Sequence, residues 1–234
     1  AAIVAHVSSS TVTVMSLEDH ALAGQAIRLT HGPDHALVAL DGAHVVAWRH
    51  GGRDMLWCAA TRPPGKPLRG GIPVCWPWFG SHPDDPSEPS HGVARLRRWT
   101  IAEQSAARVT MALSEGTLGA RLEVQLGDEL RVSLTTVNNG TAPATVSAAL
   151  HTYLAVDDIA AVRVTGLDGA TYADKLEDHA RKVQQGDLQF TSETDRIYAP
   201  DGPVRMAEGG RSIEVDGAGT SRSTVVWNPW EKTS

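Results

Sequence analysis

The stretch ARLEVQLGDELRVSLTTVNNG, residues 120–140, predicts two adjacent β-strands. Apolar residues take every second position in each half of the stretch: Leu122, Val124 and Leu126, then Leu130, Val132 and Leu134. This alternation places the apolar side chains of a strand on one face. Gly127, Asp128 and Glu129 separate the two runs and have the composition of a turn. The stretch therefore predicts a β-hairpin with one buried face.

Short β-like runs also occur on both sides of this hairpin. In ALVALDGAHVVAWRH (36–50), Asp41-Gly42 lies between two apolar runs, which is a strong hairpin signal. ATVSAALHTYLAV (144–156) is predicted as a further strand, and no amphipathic helix is indicated. Many short strands with Gly, Asn and Asp turns favour an all-β protein, a large antiparallel β-sandwich. Because no linker is visible, we expect one domain over residues 1–234.

Composition limits the class of partner. The chain of 234 residues has a net charge of -6 and a pI near 5.9, whereas binding to nucleic acid or acidic membranes needs a basic excess. Cys58 and Cys75 are too few for a disulfide framework. The opening residues, AAIVAHVSSS, lack a signal-peptide pattern, and no run is long enough for a membrane span. We therefore expect a cytoplasmic protein that binds neither nucleic acid nor membrane, and we expect a monomer.

The segment RGGIPVCWPWFGSHPDDPSEPSHGVARLRRW, residues 69–99, has the composition of a binding site. Arg69 and Arg95 carry planar guanidinium groups that suit two oxygens of a phosphate or carboxylate. Trp76 and Trp78 offer apolar faces to a ligand. Together these residues predict a site for a polyhydroxylated ligand that bears an anion. The alternative for each residue taken singly is a core tryptophan or a solvated arginine.

Two histidines are candidates for proton transfer or binding. His91 ends the proline-rich loop just before Gly92, and His151 lies in the apolar run AALHTYL. A buried neutral histidine can give or take a proton near pH 7, although His151 could equally be a core residue bonded to a backbone carbonyl. Most other histidines, including His44, are interpreted as surface or turn residues. Asp195, in TSETDRIY, is by itself best explained as a solvated or Arg196-paired charge.

Metal and nucleotide sites have little support in the sequence. His82, Asp84, Asp85 and His91 share one loop, but their spacing matches no tight ligand pattern. The chain has no G-x-S-x-G elbow, no P-loop and no dinucleotide-binding glycine pattern. We therefore expect no metal site, and the reaction classes that these motifs serve lose their usual support.

Several motifs occur in an order that is similar to one family. They are RGGIPVCWPWFG, SHGVAR, ALHTYLAV, VTGLDGATYADK, TSETDRIY and STVVWNPW. In these motifs, from about Ile27 to the C-terminus, the chain resembles the glucose-6-phosphate 1-epimerases, the hexose-6-phosphate mutarotase branch of the aldose 1-epimerase family. The resemblance implies a galactose mutarotase-like β-sandwich and an isomerase that interconverts the α and β anomers of a hexose 6-phosphate without a cofactor.

By motif match, the resemblance also implies residue roles. His151 is the general acid for the ring oxygen, His91 and Asp195 hold the sugar, and Arg69 and Arg95 bind the 6-phosphate. The family's general base is a glutamate in a strand well beyond the tryptophan block, and Glu231 does not match that position. We expect this sequence to be an incomplete chain that lacks that glutamate and its C-terminal strand or strands; the other interpretation is a truncated protein with a damaged site. The functional alternatives are a non-catalytic phosphosugar- or carbohydrate-binding protein and a structural sandwich without a ligand.

Overall fold

The computed structural model describes residues 17–230, so that the opening residues and Glu231 lie outside the described part. The chain divides into two compact units, one ending at Ala155 and the other starting at Val156, and each is described by itself. The described residues form nineteen β-strands, three short 3-10 helices and no α-helix. The all-β prediction is confirmed, while the single-domain prediction stays a prediction.

The first unit has a five-stranded antiparallel sheet in sequence order. Its strands are β1 (Leu17–His20), β2 (Gly24–His31), β3 (Asp34–Ala39), β4 (His44–His50) and β5 (Arg53–Asp54). The β3–β4 connection contains Asp41-Gly42, as the sequence predicts. The short strand β6 (Val74–Cys75) follows a long irregular segment.

A four-stranded antiparallel sheet comes next along the chain. Its strands are β7 (Thr100–Gln104), β8 (Arg108–Glu115), β9 (Leu118–Leu126) and β10 (Leu130–Asn138). Strands β9 and β10 form the predicted hairpin, with Leu122 opposite Leu134 and Val124 opposite Val132. One core includes side chains of this sheet, such as Leu122 and Val124, and side chains of the first sheet, such as Ile27. The unit is therefore a sandwich whose two sheets share a buried layer.

The strand predicted over residues 144–156 is wrong in length. Only β11 (Ala149–Leu150) is a strand, and it pairs with β6. The partner segment is bounded by Pro73 and Pro77, which have no N–H to donate, so the ladder cannot extend. Single hydrogen bonds replace the ladder: the backbone N–H of His151 donates to the carbonyl of Pro73 at 3.1 Å. His151 therefore lies just beyond a strand end rather than inside a strand.

The second unit contains two four-stranded antiparallel sheets. Its strands are β12 (Arg163–Thr165), β13 (Thr171–Asp174), β14 (Ala180–Val183), β15 (Leu188–Gln189), β16 (Thr194–Tyr198), β17 (Val204–Glu208), β18 (Arg211–Val215) and β19 (Thr224–Asn228). The sheet orders are β15-β12-β17-β18 and β14-β13-β16-β19. Val164 and Val204 from one sheet and Tyr172 and Tyr198 from the other belong to one core cluster.

The helical content is limited to short 3-10 segments. They span Ala94–Leu96, Ile159–Ala161 and Lys175–Glu177. Between residues 17 and 230, no helix has the length and apolar character that a membrane crossing requires.

Candidate active site

The backbone around Arg69 is held between two other segments of the first unit. The carbonyl of Arg69 accepts from the N–H of Ala59 at 2.9 Å, and the carbonyl of Gly71 accepts from the N–H of Tyr153 at 2.9 Å. Gly70 has φ of 103°, and a Cβ there would lie 2.4 Å from the Cα of Cys58. Only glycine allows this approach. The fold thus brings Arg69 beside the segment that carries His151 and Tyr153.

His44 also supports this segment, and its predicted surface position is wrong. Its side chain is buried, with 5% exposure, and its Nε2 lies 2.7 Å from the carbonyl oxygen of Gly70. Because a carbonyl only accepts, Nε2 carries the proton and donates. Burial lowers the pKa of His44 to about 4, so the ring is neutral near pH 7. The position of His44 within the apolar run AHVVAW was the signal for burial.

The loop that carries His91 is joined to the segment that contains Trp76. The N–H groups of Val93 and Ala94 both donate to the carbonyl of Trp76, at 3.0 and 3.1 Å. Gly92 has φ of 75°, and a Cβ there would lie 2.1 Å from the Trp76 carbonyl oxygen. A glycine is required at this contact, and the contact fixes the backbone next to His91.

Backbone contacts determine which nitrogen of His91 is a donor. Its N–H donates to the carbonyl of Gly80 at 2.6 Å, and its Nδ1 accepts from the N–H of Gly80 at 3.1 Å. His91 itself has φ of 66°, an uncommon backbone conformation for a residue with a side chain. With Nδ1 accepting, the proton of the neutral ring is on Nε2. His91 can therefore present a donor to a hydroxyl or anionic oxygen.

His151 is part of an aromatic cluster. Its ring centroid lies 6.1 Å from that of His91 at an interplanar angle of 84°, and 4.6 Å from that of Tyr153 in a stack inclined by 18°. Phe79 lies 5.0 Å from the His91 ring. Both histidines are half-buried. The two histidines that are candidates from the sequence therefore lie close together in one unit.

The two arginines act on the same tyrosine. Burial raises the pKa of the Tyr153 hydroxyl, and the Arg69 guanidinium opposes this shift through its charge and a side-chain hydrogen bond. The charge of Arg95 also lowers the pKa of Tyr153. Arg95 donates from Nη2 to the carbonyl of Ser90 at 2.6 Å, and its buried Nε has no hydrogen-bond partner among the described residues. Two positive charges thus act in the neighbourhood of His151.

Trp76 does not fit its predicted role as a substrate contact. Its side chain is fully buried in the core of the first unit, and its Nε1 donates to Oγ1 of Thr136 at 2.9 Å. A ring without exposed surface cannot offer a face to a ligand, so we interpret Trp76 as a support for the Trp76–Gly92 contact. Trp78 is half-buried and lies edge-on to His82, with centroids 4.4 Å apart.

Asp195 belongs to the second unit. It lies in β16 opposite Trp227, and its Oδ2 is 2.7 Å from Nζ of Lys175. Its pairing with Lys175 differs from the Arg196 pairing considered from the sequence, because Arg196 instead approaches Asp174 at 3.5 Å. The second carboxylate oxygen, Oδ1, is buried and has no partner among the described residues. Lys175 was not selected from the sequence, although it ends the motif VTGLDGATYADK.

The loop considered as a metal site forms local turns. The N–H groups of Asp84 and Asp85 donate to Nδ1 of His82 at 3.1 and 2.9 Å, and Asp85 accepts from Ser87. Over residues 17–230, no group of three or more His, Cys, Asp or Glu side chains is arranged to hold a metal ion.

The fold resembles that of mutarotases. A crystal structure of a provisionally assigned mutarotase from Salmonella typhimurium is 30% identical, with a TM-score of 0.78, over 88% of this chain and 74% of that one. A galactose mutarotase-like protein from Lactobacillus casei has the same fold, with a TM-score of 0.73 at 15% identity over 88% of this chain and 84% of that one. The galactose mutarotase-like fold is therefore confirmed.

The family assignment comes from sequence comparison. The family model described as aldose 1-epimerase matches residues 25–234. A protein of Cenchrus ciliaris, provisionally named a glucose-6-phosphate 1-epimerase, is 33% identical over 227 residues, covering 84% of this chain and 68% of that protein. This chain belongs to the aldose 1-epimerase family, and it is an isomerase of carbohydrates.

Proposed function

We propose that this protein interconverts the α and β anomers of a hexose 6-phosphate, with glucose 6-phosphate as the substrate to test first. The observation that carries the proposal is the placement of His91, His151, Tyr153 and Arg69 in one cluster of the first unit. His151 serves ring opening and His91 holds the sugar, while Arg69, next to Tyr153, binds the anionic group. The names of relatives such as the Cenchrus ciliaris protein agree with this substrate class.

The reaction needs an acid at the ring oxygen and a base at the anomeric hydroxyl. In the proposal, His151 as imidazolium gives its proton to O5 while a base removes the proton from O1, and the C1–O5 bond breaks. The open-chain aldehyde rotates about its C1–C2 bond. Closure on the other face returns the O5 proton to His151 and a proton to O1. The base is the glutamate that the family resemblance implies, and no residue from 17 to 230 is assigned to that step.

His91 has a binding role in this scheme. Its Nδ1 accepts from the backbone of Gly80, which leaves Nε2 as the donor of the neutral ring. A donor fixed in this way can hold a sugar oxygen while His151 exchanges its proton. By motif match, Asp195 of the second unit is proposed as an acceptor for sugar hydroxyls: its Oδ2 accepts from Lys175, and its Oδ1 has no partner among the described residues.

Arg69 and Arg95 are proposed to bind the 6-phosphate. A guanidinium group presents paired N–H donors that match two phosphate oxygens, and the bonds are charge-assisted. The phosphate is remote from C1, so its binding energy can orient the reacting end of the sugar. A glucose molecule without phosphate would lack this contribution.

NMR exchange spectroscopy on glucose 6-phosphate tests the proposal. The α/β exchange rate is measured in buffer, with the protein, and with the protein after glucose replaces glucose 6-phosphate. We expect the protein to accelerate exchange of glucose 6-phosphate well above that of glucose. Binding without acceleration would instead favour a phosphosugar-binding protein, and acceleration that is equal for both sugars would contradict the phosphate role. The cytoplasmic location and the monomeric state stay predictions.

A further inference from the structure

Tyr153 contacts both halves of the proposed site. Its ring stacks on His151 at 4.6 Å, and its hydroxyl is hydrogen-bonded to the side chain of Arg69. Its backbone N–H donates to the carbonyl of Gly71, two residues after Arg69, at 2.9 Å. One residue therefore contacts the proposed acid through its ring and the proposed phosphate-binding arginine through its hydroxyl.

We propose that Tyr153 is a positioning residue that links phosphate binding at Arg69 to the orientation of His151. This inference rests on the proposed function and adds a residue to it. His151 and Tyr153 are two positions apart, and their rings lie on the same side in a stack inclined by 18°. The stack limits rotation of the imidazole about its side-chain bonds, which keeps the donor nitrogen aimed at one place.

The hydroxyl acts on the arginine in a different way. A guanidinium group has five N–H donors, so that one bond to the Tyr153 oxygen leaves a pair for the phosphate. The bond also reduces the number of side-chain rotamers that Arg69 must give up when phosphate binds. Tyr153 therefore improves phosphate binding through Arg69, without contacting the phosphate itself.

The two contacts can be separated by substitution. Tyr153→Phe removes the hydroxyl and keeps the stack, whereas Tyr153→Leu removes both. We expect Tyr153→Phe to retain kcat for glucose 6-phosphate within about twofold and to raise KM about 3- to 10-fold, since one hydrogen bond to a charged group is lost. Tyr153→Leu should in addition lower kcat about tenfold or more, because the His151 ring is no longer held.

A double-mutant cycle tests the link to Arg69. Affinities for glucose 6-phosphate and for inorganic phosphate are measured by calorimetry for the wild type, Tyr153→Phe, Arg69→Ala and the double variant. Removal of the hydroxyl should weaken both affinities about 3- to 10-fold when Arg69 is present and hardly at all when Arg69 is absent. Equal losses in the two backgrounds would overturn the coupling. Tyr172→Phe, in the second unit, is the matched control for removal of a hydroxyl.

The outcomes also separate this inference from the proposed function. If the wild type does not accelerate anomer exchange, the proposed function fails, but the calorimetric cycle still tests Arg69 and Tyr153. The NMR ring signals of His151 then replace kcat as the test of the stack: they should change in Tyr153→Leu and stay nearly unchanged in Tyr153→Phe. If the signals move equally in both variants, or if the wild type binds neither probe, the inference is wrong. Thermal melting of each variant verifies that it is folded.

Discussion

The rings of His91 and His151 meet edge to face, with centroids 6.1 Å apart and planes inclined by 84°. They reach this arrangement from two distant loops, since His91 follows a proline-rich segment and His151 follows the two-residue strand β11. The backbone bonds of His91 to Gly80 and of His151 to Pro73 hold both rings in place. Such a pair provides two imidazoles with different partners and therefore different roles.

Replacing the proposed acid should remove turnover while binding persists. His151→Ala leaves no group to protonate the ring oxygen, so we expect the exchange rate of glucose 6-phosphate to fall about 100- to 10,000-fold. Affinity measured by calorimetry should change only a few-fold, because the phosphate contacts remain. The matched control is His31→Ala, an exposed histidine in β2. An unchanged exchange rate in His151→Ala would exclude His151 as the acid.

Replacing Arg69 should weaken the binding of glucose 6-phosphate more than the binding of glucose. Arg69→Ala removes charge-assisted bonds to phosphate, so we expect the Kd for glucose 6-phosphate to rise about 10- to 100-fold. Glucose, which has no phosphate, should lose much less affinity. Arg49→Ala, an exposed arginine paired with Asp54, controls for the loss of one positive charge. If glucose and glucose 6-phosphate lose affinity equally, Arg69 does not bind the phosphate.

His44 should make the folded state sensitive to acid. Its pKa is about 4 in the folded protein, below the ordinary value of 6.5, so the unfolded chain binds the extra proton first. The contribution of the neutral His44 ring to the free energy of unfolding is present above pH 6.5 and is lost as the pH falls toward 4. A shift of this size corresponds to about 3 kcal/mol of unfolding free energy.

The measurement is urea unfolding of the wild type and of His44→Gln between pH 7 and pH 4. Glutamine keeps an N–H donor for the Gly70 carbonyl but does not titrate. The variant should therefore lose less stability than the wild type across this range. Carboxylates titrate in both proteins, so only the difference between the two curves reports on His44. Parallel curves would show that His44 is not responsible.

Gly92 should tolerate no side chain. A Cβ at this position would lie 2.1 Å from the Trp76 carbonyl oxygen, so Gly92→Ala must move the loop that carries His91. We expect a destabilisation of about 1–3 kcal/mol and loss of exchange activity. Gly51→Ala is the control, because Gly51 also has positive φ (56°) but a Cβ there would have no atom within 4 Å. Similar losses in both variants would mean that backbone strain alone, and not the Trp76 contact, is responsible.

Local patterns were sufficient for much of the first unit. The alternation of Leu122 and Val124 with polar residues predicted the β9–β10 hairpin, and Asp41-Gly42 predicted the β3–β4 connection. Both predictions depend only on residues that are close in sequence, because a turn joins the paired strands directly. His91 and His151 could be selected in the same way, from their unusual position in a loop and in an apolar run.

Other features depended on segments far apart in the chain. Trp76 is buried because its ring packs into the core and bonds to Thr136, sixty positions later. The composition of its segment had suggested instead that the ring faces a ligand. His44 can be buried because the carbonyl of Gly70, 26 positions away, accepts the proton of its Nε2 and so satisfies that donor. Neither partner is marked by any local pattern: the apolar run AHVVAW indicated that His44 is buried, but nothing near it indicated which carbonyl accepts its proton.

The sequence by itself determined the all-β class, the hairpins and the residue types of the site, because these follow from alternation, turn chemistry and motif order. The tertiary structure decided which side chains meet: the Gly92–Trp76 contact holds the His91 loop, and the Gly71–Tyr153 bond brings Arg69 to Tyr153. These contacts depend on backbone hydrogen bonds between segments that are distant in sequence and on glycines that permit close approach. Periodicity carries no information about such long-range pairings.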